Sequence, residues 1–296
     1  AWPARTAVTW FFASIAQLYS RAPTLMFGAA APPTPLCPTG SLNYQGVLAF
    51  AAFWELLYQI FKQLVKLSPH PKIVTLGASY CVSVFNALMC SVGGFWATAS
   101  LLALDFGDRL LVTDTPSPYW PLAGYAASLT VYEYFAHAFL GWLCYDVLHV
   151  FTHFPKLGGG DTIAHHLGFV CLTCLGSAHR VLPFSVAWLL LGEVSSLPLN
   201  ARWFLINTGR GATKAMDMAN ASFAISFFIV RVVVMWAGVW HTCVHLRTAL
   251  IAAPYSCSAV VVNTICGFIA AGAGLNGYWM VGIVKMAMRG GKKAKE

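Results

Sequence analysis

Charged residues are scarce in this 296-residue chain: Asp, Glu, Lys and Arg make up 9% of it, and hydrophobic residues 58%. A water-soluble domain carries about 25% charged residues. Residues 73–104 and 248–284 contain no charged residue at all. Because about 20 apolar residues can cross a bilayer, each stretch is long enough for a span. The deficit excludes a soluble domain and predicts a polytopic integral membrane protein.

Acidic residues are fewer than basic ones, 10 against 18, and the net charge is +8. Such a balance can indicate a nucleic-acid partner. Here the cations stand at the ends of apolar segments, where Lys and Arg orient membrane spans, so we predict no nucleic-acid partner. The chain also lacks a G-x-S-x-G motif, which argues against a serine hydrolase of that type.

Three segments are predicted along the chain. Residues 1–40 would form an interfacial segment and a Pro-rich linker, residues 41–286 an all-α transmembrane domain, and residues 287–296 a basic C-terminal tail. The hydrophobic pattern predicts about seven spans. They are residues 42–62, 73–103, 121–145, 161–178, 182–206, 216–240 and 254–284.

The positions of the basic residues predict an orientation. Of the 18 Lys and Arg residues, twelve fall on the side reached after the odd-numbered spans, called side A here. Five fall on the opposite side, and Arg231 lies within the sixth span. The positive-inside rule therefore puts side A and the C-terminus in the cytosol or its organellar equivalent. We expect a membrane of the endoplasmic reticulum or another organelle.

A few ionisable residues fall inside the predicted spans, where charge is costly and usually faces the bundle interior. They are Glu55, Glu133, His137, His165, His166, Glu193 and Arg231. Arg231 cannot shed its proton, so it needs a carboxylate or carbonyl partner. Glu193 is the first candidate partner and Glu133 the second. A structural ion pair would explain Arg231 as well as a role in anchoring substrate.

The adjacent histidines His165 and His166 are the most informative of these residues. Neighbours on a helix point about 100° apart, so one ring can face a cavity while the other contacts a neighbouring helix. Asp161 lies one turn before His165, and Asp146 precedes the same turn on side A. We predict that these four residues and Glu193 converge on one cavity open to lipid.

Four stretches of the chain resemble the TLC domain, the family that includes the ceramide synthases. They are Tyr145-Asp146, the stretch from Asp161 to His166, the stretch from Gly192 to Trp203, and the stretch from Phe228 to Arg231. Their order and spacing match along about residues 70–285. The stretch from Glu193 to Trp203 resembles the TLC-domain proteins that are not synthases more than the synthases.

The resemblance implies a helical barrel around a narrow lipid-accepting cavity. It implies His165, His166, Asp146, Asp161 and Glu193 as candidate catalytic residues. It implies Arg231, Ser196, Asn200 and Arg202 as candidate lipid-binding residues. In the synthases, one histidine of the pair is thought to carry the acyl group, and an acyl-imidazole is a good donor to an amine.

Three positions depart from the synthase pattern. Gly192-Glu193 and Ser196 stand where the synthases carry His-Asp and a further Asp. Asn86 stands where relatives often have a histidine, and an amide cannot shuttle a proton. These departures favour a lipid-binding protein, or one that controls membrane lipid composition, acting without catalysis or as a subunit of a larger membrane assembly. The alternative is an acyltransferase of ceramide synthase type, which moves an acyl group from acyl-CoA to a lipid amine in sphingolipid metabolism.

A membrane di-iron oxygenase is a third interpretation, because histidines four apart share a helix face and could ligate one metal. The two such pairs are His149 with His153 and His241 with His245. The predicted topology puts these pairs on opposite faces of a bilayer about 30 Å thick, too far apart for one cluster. We therefore predict no metal and no cofactor, with membrane lipids as partners and acyl-CoA as a candidate substrate.

Overall fold

A computed structural model describes residues 43–102, 131–252 and 255–293, and these residues form helices with no β-strand among them. The all-α fold predicted from the sequence is confirmed. The interfacial segment and linker predicted for residues 1–40 lie outside the described residues, as do residues 121–130 of the third predicted span and the side chain of Glu133.

Eight helices build the described part of the chain. They are α1 (Tyr44–Leu64), α2 (Pro71–Leu102), α3 (Val131–Thr152), α4 (Gly160–His179), α5 (Pro183–Leu190), α6 (Ser196–Asn207), α7 (Lys214–Ile251) and α8 (Ala259–Lys293). Helix α8 continues into the segment predicted as the basic tail. Short 3-10 segments, Val65–Leu67 and Leu191–Ser195, follow α1 and join α5 to α6.

Three helices within the described ranges are long and apolar enough to cross a membrane: Pro71–Ala99, Lys214–Ile251 and Ala259–Met286. The seven-span arrangement and its orientation therefore stay predictions. Helix α7 is longer than the predicted span of residues 216–240. Two π-helical segments, Phe227–Val234 and His241–Leu246, carry the helix on to Ile251.

The predicted span of residues 182–206 is broken into two short helices. The 3-10 segment Leu191–Ser195 contains Gly192, and glycine weakens a helix interior. Pro198 lies in the first turn of α6, where its missing N–H costs no intrahelical bond. The interruption frees the carbonyl of Gly192 to accept from side chains, and this break builds one end of the site.

Small residues let the helices approach closely, as is usual where membrane helices pack without a strong hydrophobic driving force. A Cβ atom on Gly141 of α3 would stand 2.6 Å from Cβ of Phe50 on α1. A Cβ on Gly238 of α7 would overlap the indole of Trp188 on α5. Hydrogen bonds add to these contacts: the Trp54 indole donates to the Ala138 carbonyl at 3.0 Å, and the hydroxyls of Ser185 and Thr242 are 2.7 Å apart.

Candidate functional site

A cavity of about 810 Å³ opens among α2, α3, α4, α6, α7 and α8. Its size lies within the range typical of pockets for small molecules and cofactors. All nine site residues predicted from the sequence line it. They are Asp146, Asp161, His165, His166, Glu193, Ser196, Asn200, Arg202 and Arg231. The structure thus brings the predicted set together, and the role of each member stays a prediction.

Arg231 lies in the π-helical segment of α7, and only 9% of the residue is exposed. Its guanidinium reaches the broken segment between α5 and α6. Nε donates to the Gly192 carbonyl at 3.0 Å and to the Ser195 hydroxyl at 2.9 Å, and Nη2 donates to Glu193 Oε1 at 2.9 Å. The pairing of Arg231 with Glu193 proposed from the sequence is present. We call Arg231, Gly192, Glu193, Ser195 and Ser196 the arginine cluster.

Both carboxylate oxygens of Glu193 are occupied within the arginine cluster. Oε1 accepts from Arg231, and Oε2 accepts from the Ser196 hydroxyl at 2.8 Å. The Ser196 oxygen also accepts from Arg231 Nη2 at 3.2 Å. A buried charge costs little only when it is paired and hydrogen-bonded, and this cluster meets both conditions. Its members therefore hold one another, and Nη1 of Arg231 is the nitrogen of this guanidinium without a partner among the described residues.

His166 and Asp146 bring α4 and α3 together at the cavity. His166 Nδ1 is 2.9 Å from Asp146 Oδ2, although the ring N–H is not aligned for a hydrogen bond in this geometry. Both side chains are about one-seventh exposed. A carboxylate beside one ring nitrogen orients an imidazole and leaves Nε2 as the nitrogen that can act on a ligand.

His165 is held by aromatic rings. The Phe169 and Trp279 rings lie 4.8 Å and 5.1 Å from its own, between centroids. Nδ1 of His165 is buried and has no hydrogen-bond partner among the described residues. Trp279, on α8, donates from Nε1 to Asp161 Oδ2 at 3.1 Å. We call Asp146, Asp161, His165, His166 and Trp279 the histidine cluster.

The remaining predicted residues, Asn200 and Arg202, lie on α6. Asn200 donates from Nδ2 to the Ser83 hydroxyl of α2 at 3.0 Å, which ties α6 to α2. Arg202 donates from Nε to Asn220 Oδ1 at 2.5 Å, and its Cζ lies 5.2 Å from the centre of the Phe223 ring. Both residues therefore have contacts on neighbouring helices that fix their place in the wall.

Some residues of the wall were not predicted from the sequence. Ser195 and Trp279 belong to the two clusters, and Tyr80 stacks on Trp203 with ring centres 3.8 Å apart. Their chemistry alone did not distinguish them, because apolar spans commonly contain serine and aromatic residues. The sequence did contain a signal for Ser195. Two serines, Ser195 and Ser196, lie three and four residues after Gly192, and hydroxyls can satisfy backbone groups where a glycine breaks a helix.

Other sequence candidates lie elsewhere. Glu55 of α1 is 3.0 Å from His149 Nε2 of α3, and neither residue lines this cavity. His137 is buried at 6% exposure. Asn86 is fully buried, accepts from the Cys90 thiol at 3.3 Å and also stands outside the cavity lining. The Asn86 amide therefore gives this cavity no group.

No group of three or more His, Cys, Asp or Glu side chains in residues 43–102, 131–252 and 255–293 is arranged as metal ligands. The expected lack of a di-iron site stays a prediction. Elemental analysis of the purified protein checks it, and stoichiometric iron would revive the oxygenase interpretation.

Comparison with known proteins points to one family. A family model described as the TLC domain matches residues 77–285. TLC domain-containing protein 4-B of Danio rerio is 31% identical over 104 residues, which cover 34% of this chain and 39% of that protein. The protein of the same name from Xenopus laevis is 32% identical over 98 residues, covering 32% of this chain and 37% of that protein. The chain thus spans well under half the length of these curated relatives. Their names agree with the resemblance to the non-synthase branch.

Proposed function

The chain belongs to the TLC-domain family, a helical membrane fold, and from this premise we propose that it binds a membrane lipid in its cavity and acts on membrane lipid composition without catalysis. The proposal combines a cavity of lipid-accepting size with two polar clusters of different kinds. Apolar and aromatic side chains form much of the remaining wall, among them Val150, Leu199, Phe227 and Ile283. Such a wall suits an acyl chain, and the histidine cluster suits its polar head.

The single observation that carries the proposal is the occupation of Glu193. Acyl transfer through a histidine needs a carboxylate that orients the imidazole, for which Asp146 lies beside His166, and a second, free base that accepts the proton of the attacking amine. Glu193 is the residue that stands where the synthases carry part of that machinery. Both of its oxygens are engaged, by Arg231 and by Ser196, so its hydrogen bonds are those of a structural ion pair.

A second candidate function rests on the histidine cluster itself. Asp146 beside His166 is the arrangement of a base with its orienting carboxylate. An imidazole nitrogen would attack the carbonyl carbon of an acyl thioester, and the C–S bond would break as the thiolate takes a proton. A lipid amine would then attack the acyl-imidazole, lose a proton to a carboxylate or water, and release the histidine.

Extraction of lipid from the purified protein tests the first function. Mass spectrometry should find about one lipid per chain, and the paired substitution His165→Ala with His166→Ala should lose it while the protein stays folded. The matched control is His245→Ala, an exposed histidine outside the cavity. Incubation with a panel of acyl thioesters tests the second function. An acyl adduct on His165 or His166, together with transfer of the acyl group to an amine, would support acyl transfer and overturn the proposal of lipid binding without catalysis.

The membrane and the partners of the chain follow from the same proposal. We expect a membrane of the endoplasmic reticulum or another organelle, with the C-terminus on the cytosolic or equivalent side. Association with other membrane subunits is compatible with the exposed apolar faces of α2 and α7, where Phe95 and Ile225 are 71% and 60% exposed. Fluorescence microscopy of the tagged protein and purification from mild detergent check these two expectations.

A further inference from the structure

We propose that the cavity selects an amphiphile that carries phosphate, and that Arg202 and Lys285 receive the phosphate at the edge of the cavity. This inference rests on the proposed lipid binding and adds the chemical class of the ligand. Arg202 lies on α6 and Lys285 near the end of α8, and both line the cavity. The lining therefore includes two cations from two different helices.

Arg202 is prepared to bind an anion. Its Nε donates to Asn220, and the guanidinium lies over the Phe223 ring, so the side chain is already ordered. Its two terminal nitrogens have no partner among the described residues, and no carboxylate pairs with it there. A planar guanidinium with two free terminal groups matches two oxygens of a phosphate. Binding would then cost little side-chain entropy, because the guanidinium need not be reordered.

Lys285 has no acidic partner within the described part of the chain and is exposed. Residues near it in the lining include Tyr278, Gly282 and Met286, none of which carries a charge. An ammonium on a flexible stem contributes a point charge that adapts to phosphate. The two cations thus differ: Arg202 is ordered by its neighbours, whereas the Lys285 side chain is exposed.

The acids of the lining show the opposite pattern. Glu193 accepts from Arg231, Asp161 accepts from Trp279, and Asp146 lies beside His166. All three acids have a donor or a histidine ring in contact, whereas Arg202 and Lys285 have no acid. Arg202 and Lys285 are therefore the two lining cations without a carboxylate contact among the described residues, and an anionic group on a ligand would complement them. A phosphate can offer two oxygens to the guanidinium and a further oxygen to the ammonium, whereas a carboxylate has only two oxygens, so phosphate is the anion that we infer for an amphiphile.

Two sources could bring this phosphate, a phospholipid head group and the nucleotide part of an acyl-CoA. Each has a matched probe without phosphate: dioctanoylglycerol for dioctanoyl phosphatidic acid, and octanoyl-N-acetylcysteamine for octanoyl-CoA. Binding to the full chain in detergent is measured by calorimetry. We expect at least one phosphate-bearing probe to bind about tenfold or more tightly than its matched probe. The pair that shows the difference identifies the source.

Substitutions assign the effect to the two cations. Arg202→Gln and Lys285→Gln should each weaken the phosphate-bearing probe about tenfold and leave its phosphate-free partner unchanged. Arg202→Lys should restore part of the loss, which controls for folding. Arg210→Gln, an exposed cation outside the cavity lining, should change nothing.

The outcomes separate this inference from the proposed function. Equal affinity for both members of each pair, or a phosphate preference that survives both glutamine substitutions, overturns the phosphate inference and leaves lipid binding intact. The second result would mean that Arg202 and Lys285 only contact the bilayer surface. Failure of all four probes to bind the chain would overturn the proposed lipid binding and this inference together.

Discussion

The arginine cluster and the histidine cluster lie in the same cavity but differ in how completely their polar groups are satisfied. In the first, Arg231 has four partners, and both oxygens of Glu193 are occupied. In the second, Nδ1 of His165 is buried without a partner among the described residues, and the Nδ1–H of His166 is not aligned on Asp146. A cluster whose members bond one another holds helices together, whereas buried ring nitrogens without a protein partner can hydrogen-bond to a ligand or water.

The two clusters also differ in how unusual their residues are in the sequence. An arginine in an apolar run suggests function by default. Here Arg231 donates hydrogen bonds to its neighbours, and the break between α5 and α6 supplies the carbonyl and side chains that accept them. His165, by contrast, keeps a ring nitrogen without a partner among the described residues. The predictions below test this division from its largest consequence to its smallest.

Removing one partner of the arginine cluster should have the largest effect on stability. Glu193→Gln leaves the Arg231 charge buried without its counter-ion, which typically costs about 3–5 kcal/mol. Denaturant unfolding in detergent measures the loss. The double substitution Glu193→Leu with Arg231→Met should recover much of it, because apolar groups then replace both charges. A loss below about 1 kcal/mol for Glu193→Gln would contradict a structural role.

Changing the histidine cluster should affect ligand more than fold. His165→Phe keeps the ring that packs on Phe169 and Trp279 but removes both nitrogens. The affinity for lipid should fall about tenfold, and bound lipid per chain with it, because a ligand hydrogen bond is lost, while the free energy of unfolding stays within about 1 kcal/mol. Mass spectrometry and denaturant unfolding on one preparation check both values. Unchanged lipid content would place the ligand away from His165.

Trp279 links α8 to the start of α4 through its hydrogen bond to Asp161. Removing this hydrogen bond should lower the free energy of unfolding by a moderate amount. Trp279→Phe retains an aromatic ring beside His165 but removes the donor, for an expected loss of about 0.5–1.5 kcal/mol in unfolding free energy. Tyr278→Phe, at an exposed neighbouring position, is the matched control and should have no effect. A similar loss in both variants would show that the Asp161 contact is unimportant.

The smallest effect is expected at Glu55, whose side chain is 48% exposed beside His149. Solvent-exposed ion pairs contribute about 0–1 kcal/mol, so Glu55→Gln should change the free energy of unfolding by less than about 1 kcal/mol. The same substitution type at Glu193 gives the comparison, since that pair is more buried and its cation is an arginine, which is always charged, rather than a histidine. Equal losses at the two positions would remove burial as the reason for the difference.

Much of the fold and of the site could be predicted from residue chemistry alone. Charge scarcity required a membrane environment, and the need to compensate Arg231 led to Glu193 before any geometry was known. Asp161 and the histidine pair could be grouped because four residues rise only about 6 Å on a helix. Ser195, Trp279 and the helix break could not be predicted in the same way, because their importance depends on what lies opposite them.

The sequence by itself determined that this chain is helical, that it belongs in a membrane and that its few buried charges must meet, since apolar length and unpaired charge have costs that no arrangement avoids. Only the tertiary structure decided which charged residues pair with one another. Arg231 lies within reach of Gly192, Ser195 and Glu193 because α5 ends where α7 changes to a π-helix. Within the described residues, the acids of the lining lie against Arg231, Trp279 and His166 and not against Arg202 or Lys285, because helices that are far apart in the chain pack side by side.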